Sequence, residues 1–193
     1  MGKIKSAWEI ALERTENIVV DADKIRHNET LDKIRRLAGA YLLNDENNIE
    51  KLQDDYKEFD KNDLMEALER TILNGLTLPP DEVTDDRFER IANLFTLAVG
   101  HEESSSALLE QIINLLKQYP MHRKQLLDQM KAQFEPMLRE KEAQMRDQYG
   151  QDVHLTLETD KEFAQLARQN LDKLEGQYQG TLDGAKEELK KYF

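Results

Sequence analysis

The chain has 193 residues, of which 39% are hydrophobic and 34% are charged, and its formal net charge at pH 7 is −12. This length suffices for one domain with an extension, and the high share of charged residues favours thin helical layers over a thick mixed core. Because the chain has no cysteine, disulfides, thiol nucleophiles and cysteine-ligated metal sites are excluded.

The acidic side chains are concentrated in residues 44–105, which carry 17 of the 39 acidic residues and 6 of the 27 basic ones. This stretch repels a phosphate backbone, and no other stretch attracts one strongly. We therefore expect no nucleic-acid partner. The acidic stretch is interpreted as a solvated helical surface, and docking of a basic protein is the alternative.

The first predicted helix begins at a capping box formed by Ser6 and Glu9 and continues to about Asn17. The β-branched run 18–20 then predicts a short strand or a buried link. The start of the chain lacks the apolar run of a signal peptide, and no stretch reaches 18 apolar residues. We therefore expect a cytoplasmic protein that has no membrane partner.

Helical periodicity continues through the middle of the chain. Asp21 is predicted to cap a helix that ends near Asn44, and the apolar positions within 49–72 predict one bent helix or two. After a proline loop, Thr84 is predicted to cap a helix that ends at Gly100.

A well-buried helix is then predicted from a cap at 104–106 through Leu116, and a separate helical arm is predicted from about residue 119. In the arm, apolar residues recur at intervals of eleven, as in Leu127 with Leu138 and Phe134 with Met145. Eleven residues make three turns of a nearly straight helix. The last helix repeats this spacing, as in Leu171 with Leu182. We therefore expect two long helices that lie along each other.

The connection between the arm helices carries several local signals. Pro136 predicts a kink in the first helix, and Gly150 suits its end. The alternation in 153–157 predicts an extended segment, which pairs with 18–20, pairs with a second subunit, or stays a loop. Thr159 with Glu162 forms a second capping box.

Three glycines, Gly176, Gly180 and Gly184, recur at a spacing of four in the last predicted helix. Each costs about 1 kcal/mol relative to alanine in a helix interior. A broken or frayed helix is the preferred interpretation. The alternative is a smooth strip where a helix of a partner or second subunit approaches closely.

No set of residues predicts a catalytic, cofactor or metal site. The four histidines are dispersed, and none has the spacing of a helix-borne metal ligand pair. Asp63, Glu66 and Glu69 share one helix face and are interpreted as solvated. Glycine-rich phosphate loops and nucleophile motifs are absent from the sequence. We therefore expect no cofactor and no enzymatic activity.

The run from Lys3 to Glu16 resembles the opening of an uncharacterised family of bacterial cytosolic helical proteins. This resemblance implies an all-helical fold and no particular activity. The two long helices are also similar in periodicity to the stalk subunits of rotary ATPases, although no motif matches.

Together these patterns predict an all-α fold, with a helical bundle at 6–118 and a long antiparallel helical hairpin at 119–193. We expect a non-enzymatic interaction or scaffold protein that packs its helices against another copy or another protein. The alternative is an enzyme or a ligand- or metal-binding protein with a pocket between bundle helices, using Tyr41, Tyr56 or the acidic face. The candidate interaction surface comprises Leu127, Phe134, Leu138, Met145, Leu171, Gly176, Tyr178, Gly180, Leu182 and Gly184.

Overall fold

The computed structural model describes residues 22–43, 48–81, 85–150, 156–157 and 160–193. Within these ranges every regular element is a helix and no strand occurs, so the predicted all-α fold is confirmed. The helix expected at 6–17, the run 18–20 and most of the extended segment lie outside the described residues. Of that segment, Thr156 and Leu157 are described, and neither is in a strand.

The described residues form six helices. In chain order they are α1 (Ala22–Leu42), α2 (Ile49–Tyr56), α3 (Lys61–Gly75), α4 (Asp85–Val99), α5 (Glu103–Tyr149) and α6 (Lys161–Lys190). The contacts divide the chain into two compact units, residues 1–67 and 68–193. The division falls within α3, and each unit has its own buried side chains.

In the first unit, α1 packs against α2. The hydroxyl of Tyr56 donates a hydrogen bond of 3.3 Å to the carbonyl of Ile34, and both side chains are buried. Asn48 caps α2 through its side-chain oxygen. The apolar pattern over 49–72 therefore corresponds to two helices, since Asp60 accepts a hydrogen bond from the amide of Asn62 and starts α3 anew.

In the second unit, α4 packs against α5, and Lys117 in the first part of α5 lies over the ring of Phe88. Their buried positions recur every three or four residues, as the periodicity predicts. These positions are Phe88, Ile91, Leu94, Phe95 and Ala98 of α4 and Leu109, Ile112 and Leu116 of α5. Gly100 has a φ of 93° and follows the last residue of α4, as expected for a glycine that ends a helix.

The long helix α5 passes through Pro120 and Pro136 without interruption. At 1.5 Å per residue its 47 residues extend about 70 Å. The predicted helix through Leu116 and the first helix of the predicted arm are parts of this one helix, so the prediction of two separate helices here is wrong. Each proline removes a single hydrogen bond from the helix, and burial of Tyr119 and Pro120 holds the first of these sites in place. The kink at Pro136 stays a prediction.

The helix ends confirm some predicted signals and correct others. Gly150 ends α5 in the left-handed conformation, with a φ of 65°. The N-cap of α5 is Glu102, and not a serine of 104–106. Asp160, and not Thr159, caps α6, because its carboxylate accepts from the amides of Glu162 and Phe163.

Helix α6 is continuous from Lys161 to Lys190, so the preferred prediction of a broken helix at the three glycines is wrong. Near its end, Leu182 and Leu189 are fully buried. Phe193 packs edge-on against Phe95 of α4, with ring centroids 5.5 Å apart. The end of the predicted arm thus contacts α4, a helix of the predicted bundle. The domain boundary at 118/119 states that the arm folds independently of the bundle, and it stays a prediction.

Candidate interaction surface

Helices α5 and α6 lie along each other in opposite directions. Tyr119 packs on Tyr178 with ring centroids 5.2 Å apart, and Phe134 packs on Phe163 at 5.3 Å. Further along α5, Lys141 contacts Asp160 at the start of α6. As the residue number rises in α5 it falls in α6, so the pair is antiparallel.

A small apolar cluster holds the middle of this pair. Met130, Phe163 and Ala167 are 6%, 7% and 8% exposed, and none of them is fully enclosed. Four partly buried side chains pack against them, namely Leu126, Leu127, Phe134 and Leu157. The cluster is thin because only two helices contribute most of it, and two helices cannot surround an apolar stripe on all sides.

Electrostatic contacts fix the start of α6. The Lys141 ammonium lies 2.5 Å from a carboxylate oxygen of Glu162 and 3.2 Å from one of Asp160. Hydrogen bonds to Glu162 and then Asp160 raise the pKa of Lys141. The amide of Phe163 and then Lys141 lower the pKa of Asp160. Both groups are therefore held in their charged forms at neutral pH.

An aromatic contact lies nearer the end of the pair. The hydroxyl of Tyr178 and Nδ1 of His122 are hydrogen-bonded, and Tyr178 also packs on Tyr119. Burial raises the pKa values of both tyrosines, so their hydroxyls are neutral hydrogen-bonding groups at physiological pH. The arrangement positions α6 on α5.

One side of the pair opens into an apolar groove of about 340 Å³. Met137 of α5 and Leu166 of α6 are 51% and 40% exposed there, and Phe134 lies between the helices. Glutamine side chains and Glu162 complete the lining, and no basic residue lines the groove. Two exposed apolar side chains from different helices thus share one concave surface.

The glycine strip lies on the same face of α6 as this groove. Gly176 and Gly180 follow the groove residues Gln165 and Gln169 by eleven residues, which is three turns. Gly184 follows Leu166 by eighteen residues, which is five turns. All three glycines are exposed, and no described atom lies within 4 Å of where a Cβ atom would stand. The face is open and smooth beyond the groove.

The structure divides the ten predicted surface residues into three groups. Leu138 and Leu182 are buried, and Leu182 is fully so. The three glycines are exposed. The remaining five are partly buried, and Phe134 and Tyr178 among them pack on aromatic rings of the other helix of the pair; the group is Leu127, Phe134, Met145, Leu171 and Tyr178. Much of the apolar stripe therefore joins α5 to α6 within one chain.

Two exposed groove residues, Met137 and Leu166, are not among the predicted surface residues, although Met137 follows Leu126 by eleven residues. A local signal does identify them. Each comes three residues after one of the two aromatic residues that pack together, Phe134 and Phe163. Residues three apart are neighbours on a helix surface. An apolar residue three positions after Phe134 or Phe163 therefore extends the apolar surface of its helix past the contact between these two rings.

The alternative prediction, a ligand or metal site that uses the acidic face, can be compared with a group of charged side chains in the first unit. Nδ1 of His27 lies 3.2 Å from Asp63, and Nε2 lies 3.3 Å from Glu66. Each ring nitrogen faces a different carboxylate, so the three side chains do not converge on one ion. Among the described residues, no group of three side chains could hold a metal. The Tyr56 hydroxyl is already bonded to a backbone carbonyl.

The described chain is therefore an all-α protein in which a long antiparallel helix pair carries an open apolar face. A family model described as a family of unknown function (DUF6657) matches residues 49–191, and the chain belongs to that family. The prediction of an uncharacterised family is confirmed, although the match does not include the run 3–16 on which it was based. No curated protein and no solved structure matches the chain. No described helix is long and apolar enough to cross a membrane.

Proposed function

We propose that this protein is a non-enzymatic interaction or scaffold protein that acts by packing helices against the open side of its α5–α6 pair, and that it self-associates. The observation that carries the proposal is the groove in which Met137 and Leu166 are exposed together. Contiguous exposed apolar surface is typical of an interaction site.

The thin packing of the pair supports the same conclusion. Along the second part of α5, residues 121–149, Met130 and Leu138 are the buried side chains among those described. A helix with an apolar stripe is stabilised when that stripe is covered by neighbouring elements. A third and fourth helix would cover the groove without any change in the contacts already present.

The experiment is light scattering during size-exclusion chromatography of the full chain at high micromolar concentration. We expect a mass of about 45 kDa, twice the 22.6 kDa of one chain. The double variant Met137→Gln/Leu166→Gln should dissociate at least ten-fold more readily, or by about 1.4 kcal/mol, because it removes apolar area from each copy.

The matched control is Met121→Gln. Met121 lies on the same helix and is 48% exposed, close to the 51% of Met137, but it does not line the groove. We expect its mass to equal that of the unsubstituted chain. A monomer at high micromolar concentration, or equal weakening by the control and the groove variant, would contradict self-association through this surface.

The alternative function, a ligand- or metal-binding bundle, draws on the first unit. A cleft of about 560 Å³ lies beside Asp63 and is lined by Arg26, Glu29, Lys33 and Phe59 among others. Lys33 already occupies part of it, because its ammonium lies 2.6 Å from Glu58 and 5.1 Å from the Phe59 ring centre. Thermal denaturation with divalent metals and small metabolites tests this function, and no rise in Tm with any of them would exclude it for those ligands.

A further inference from the structure

We infer that a cleft between the loop 76–81 and residues 120–131 of α5 binds a small phosphorylated sugar or polyol. Three cations of the cleft hold the phosphate, and two carboxylates accept hydrogen bonds from the hydroxyl groups of the ligand. These charged lining residues are Arg123, Lys124, Lys131, Asp81 and Asp128. The cleft lies within the second unit and shares no residue with the apolar groove, so the inference does not rest on the proposed function.

The charge of this part of α5 is opposite to that of the whole chain. Residues 111–134 carry four basic side chains and one acidic side chain, whereas the chain carries −12. Lys124 and Lys131 are seven residues apart, which is close to two turns, so they lie on one side of α5 and flank the same part of the cleft. Clefts lined by charge of one sign raise the local concentration of ligands of the other sign. A small anion is therefore attracted here.

Two of the cations in the cleft have no partner within the described part of the chain. There, no ion pair or side-chain hydrogen bond involves Lys124 or Lys131, and the same holds for Asp81 and Asp128. The other cations of α5 all have contacts within the chain, namely Lys117, Arg123, Arg139, Lys141 and Arg146. The unpaired charges of α5 are thus collected in one concave place, where they are available to a ligand.

The loop on the other side of the cleft positions Arg123. Nη1 of Arg123 donates a hydrogen bond of 3.3 Å to the carbonyl of Pro80, which lies 43 residues earlier in the chain. Pro79 of the loop and Pro120 of α5 are buried, and each proline ring fixes its own φ, which limits movement of both walls. A guanidinium has five N–H donors in a planar fork. The donors that do not bond Pro80 can bind phosphate oxygens.

The lining determines the class of ligand. A phosphate monoester carries a charge of about −1.5 to −2 at pH 7 and three acceptor oxygens, which suits one guanidinium and two ammonium groups. The two aspartates repel a ligand that is anionic throughout, but they accept hydrogen bonds from hydroxyl groups. The cleft volume of about 540 Å³ is in the range of small-molecule sites. A sugar or polyol with one phosphate meets all three conditions.

The experiment is titration of the full chain with glycerol 3-phosphate, ribose 5-phosphate and glucose 6-phosphate, followed by the amide chemical shifts in NMR spectra at low ionic strength. We expect at least one of the three to bind with a Kd below about 1 mM and to shift the amides of 76–81 and 121–131. Glucose, which lacks the phosphate, and inorganic phosphate, which lacks the sugar, should each bind at least about ten-fold more weakly.

The main variant is Lys124→Gln/Lys131→Gln, which removes two cations that have no contact in the described chain. Its Tm should equal that of the native chain, and its affinity for the sugar phosphate should fall at least about ten-fold. The matched control is Lys173→Gln, because Lys173 is an exposed lysine of α6 in the same unit that does not line the cleft. We expect its affinity to be unchanged. If the double variant does not fold, Lys131→Gln alone repeats the comparison.

The role of the aspartates has its own variant, Asp128→Asn. It should strengthen binding of inorganic phosphate and so narrow the difference from the sugar phosphate, because it removes a negative charge from the cleft. Equal binding of inorganic phosphate and the sugar phosphates by the native chain would overturn this ligand class. No binding of any of the three at about 10 mM, shifts confined to other regions, or equal weakening by Lys173→Gln would overturn the site. Light scattering measures self-association separately, so the proposed function stands or fails independently.

Discussion

The two parts of helix α5 differ in packing although they belong to one continuous helix. In the first part, 103–120, Leu109, Ile112 and Leu116 are 3%, 1% and 0% exposed. In the second part, 121–149, the most buried described side chains, Met130 and Leu138, are still 6% and 8% exposed. The first part contacts both α4, where Lys117 lies over the Phe88 ring, and α6, where Tyr119 packs on Tyr178. The second part packs on α6 through Phe134 and Phe163.

This difference shows that a helix can be regular along its whole length without being equally buried along it. The hydrogen bonds of a helix are local and continue as long as the sequence permits, even through two prolines. Burial depends on how many elements surround the helix. The second part of α5 is therefore regular in its backbone but less buried than the first, and it is the region that the proposed partner would cover.

The largest expected effect comes from truncating one leucine in each part. Leu116→Ala should lower the free energy of unfolding by about 2–5 kcal/mol, because it leaves a cavity in a closed core. Leu138→Ala should cost less than half as much, since solvent already reaches its site and can fill the space. Urea denaturation at low micromolar concentration measures both. Equal losses would show that the two parts are packed alike.

Substitution by alanine should have opposite effects on stability at two glycines, Gly180 and Gly150. Gly180 is helical, so Gly180→Ala should raise the free energy of unfolding by up to about 1 kcal/mol. Gly150 has a φ of 65° at the end of α5, so Gly150→Ala should lower it by about 1–2 kcal/mol. Both glycines have open space around them, which leaves backbone conformation as the difference. Loss of stability in Gly180→Ala would contradict a continuous α6.

The stabilisation that Asp160 provides at the start of α6 should decrease at acidic pH. Because the folded-state pKa of Asp160 is lowered, its contribution to stability is present above the ordinary aspartate pKa of 3.8 and is lost as pH falls through the lower folded value. Asp160→Asn keeps a capping side chain but does not titrate.

We expect the Tm of the native chain to fall further than that of Asp160→Asn between pH 5 and pH 3, because only the native carboxylate loses its charged contacts on protonation. Circular dichroism melts at matched ionic strength measure the difference. Parallel pH profiles would show that the contacts of Asp160 with Phe163 and Lys141 do not stabilise the charged carboxylate.

The smallest expected effect on folding comes from the groove. Below the concentration at which dimers form, Met137→Gln and Met121→Gln should each change the free energy of unfolding by less than about 0.5 kcal/mol, as exposed residues do. At high micromolar concentration only Met137→Gln should lower the Tm relative to the native chain, because binding of a second copy stabilises the folded state. A large loss for Met137→Gln at low concentration would place Met137 in the core instead.

Much of the fold follows from helical periodicity. The buried positions of α4 and of the first part of α5 recur every three or four residues, and Gly100 and Gly150 end their helices as their conformational freedom predicts. These features depend on neighbours within one or two turns, which is the range over which a sequence pattern carries information.

The features that sequence could not predict depend on neighbours far along the chain. The continuity of α5 past Leu116 is accompanied by burial of Tyr119, which packs on Tyr178 of α6. The eleven-residue stripe marked the residues that α5 and α6 bury against each other. Met137 and Leu166 are visible as a groove only once the rotation of both helices is known.

Hydrogen–deuterium exchange of the full chain at about 1 μM and about 100 μM tests most directly whether a second copy completes the packing of α5 and α6. We predict that the amides of 121–149 and 161–177 exchange faster than those of 103–120 at the low concentration. At the high concentration their exchange should slow, while that of 103–120 stays unchanged. Equal protection of both parts of α5 at the low concentration, with no change at the high one, would contradict the account.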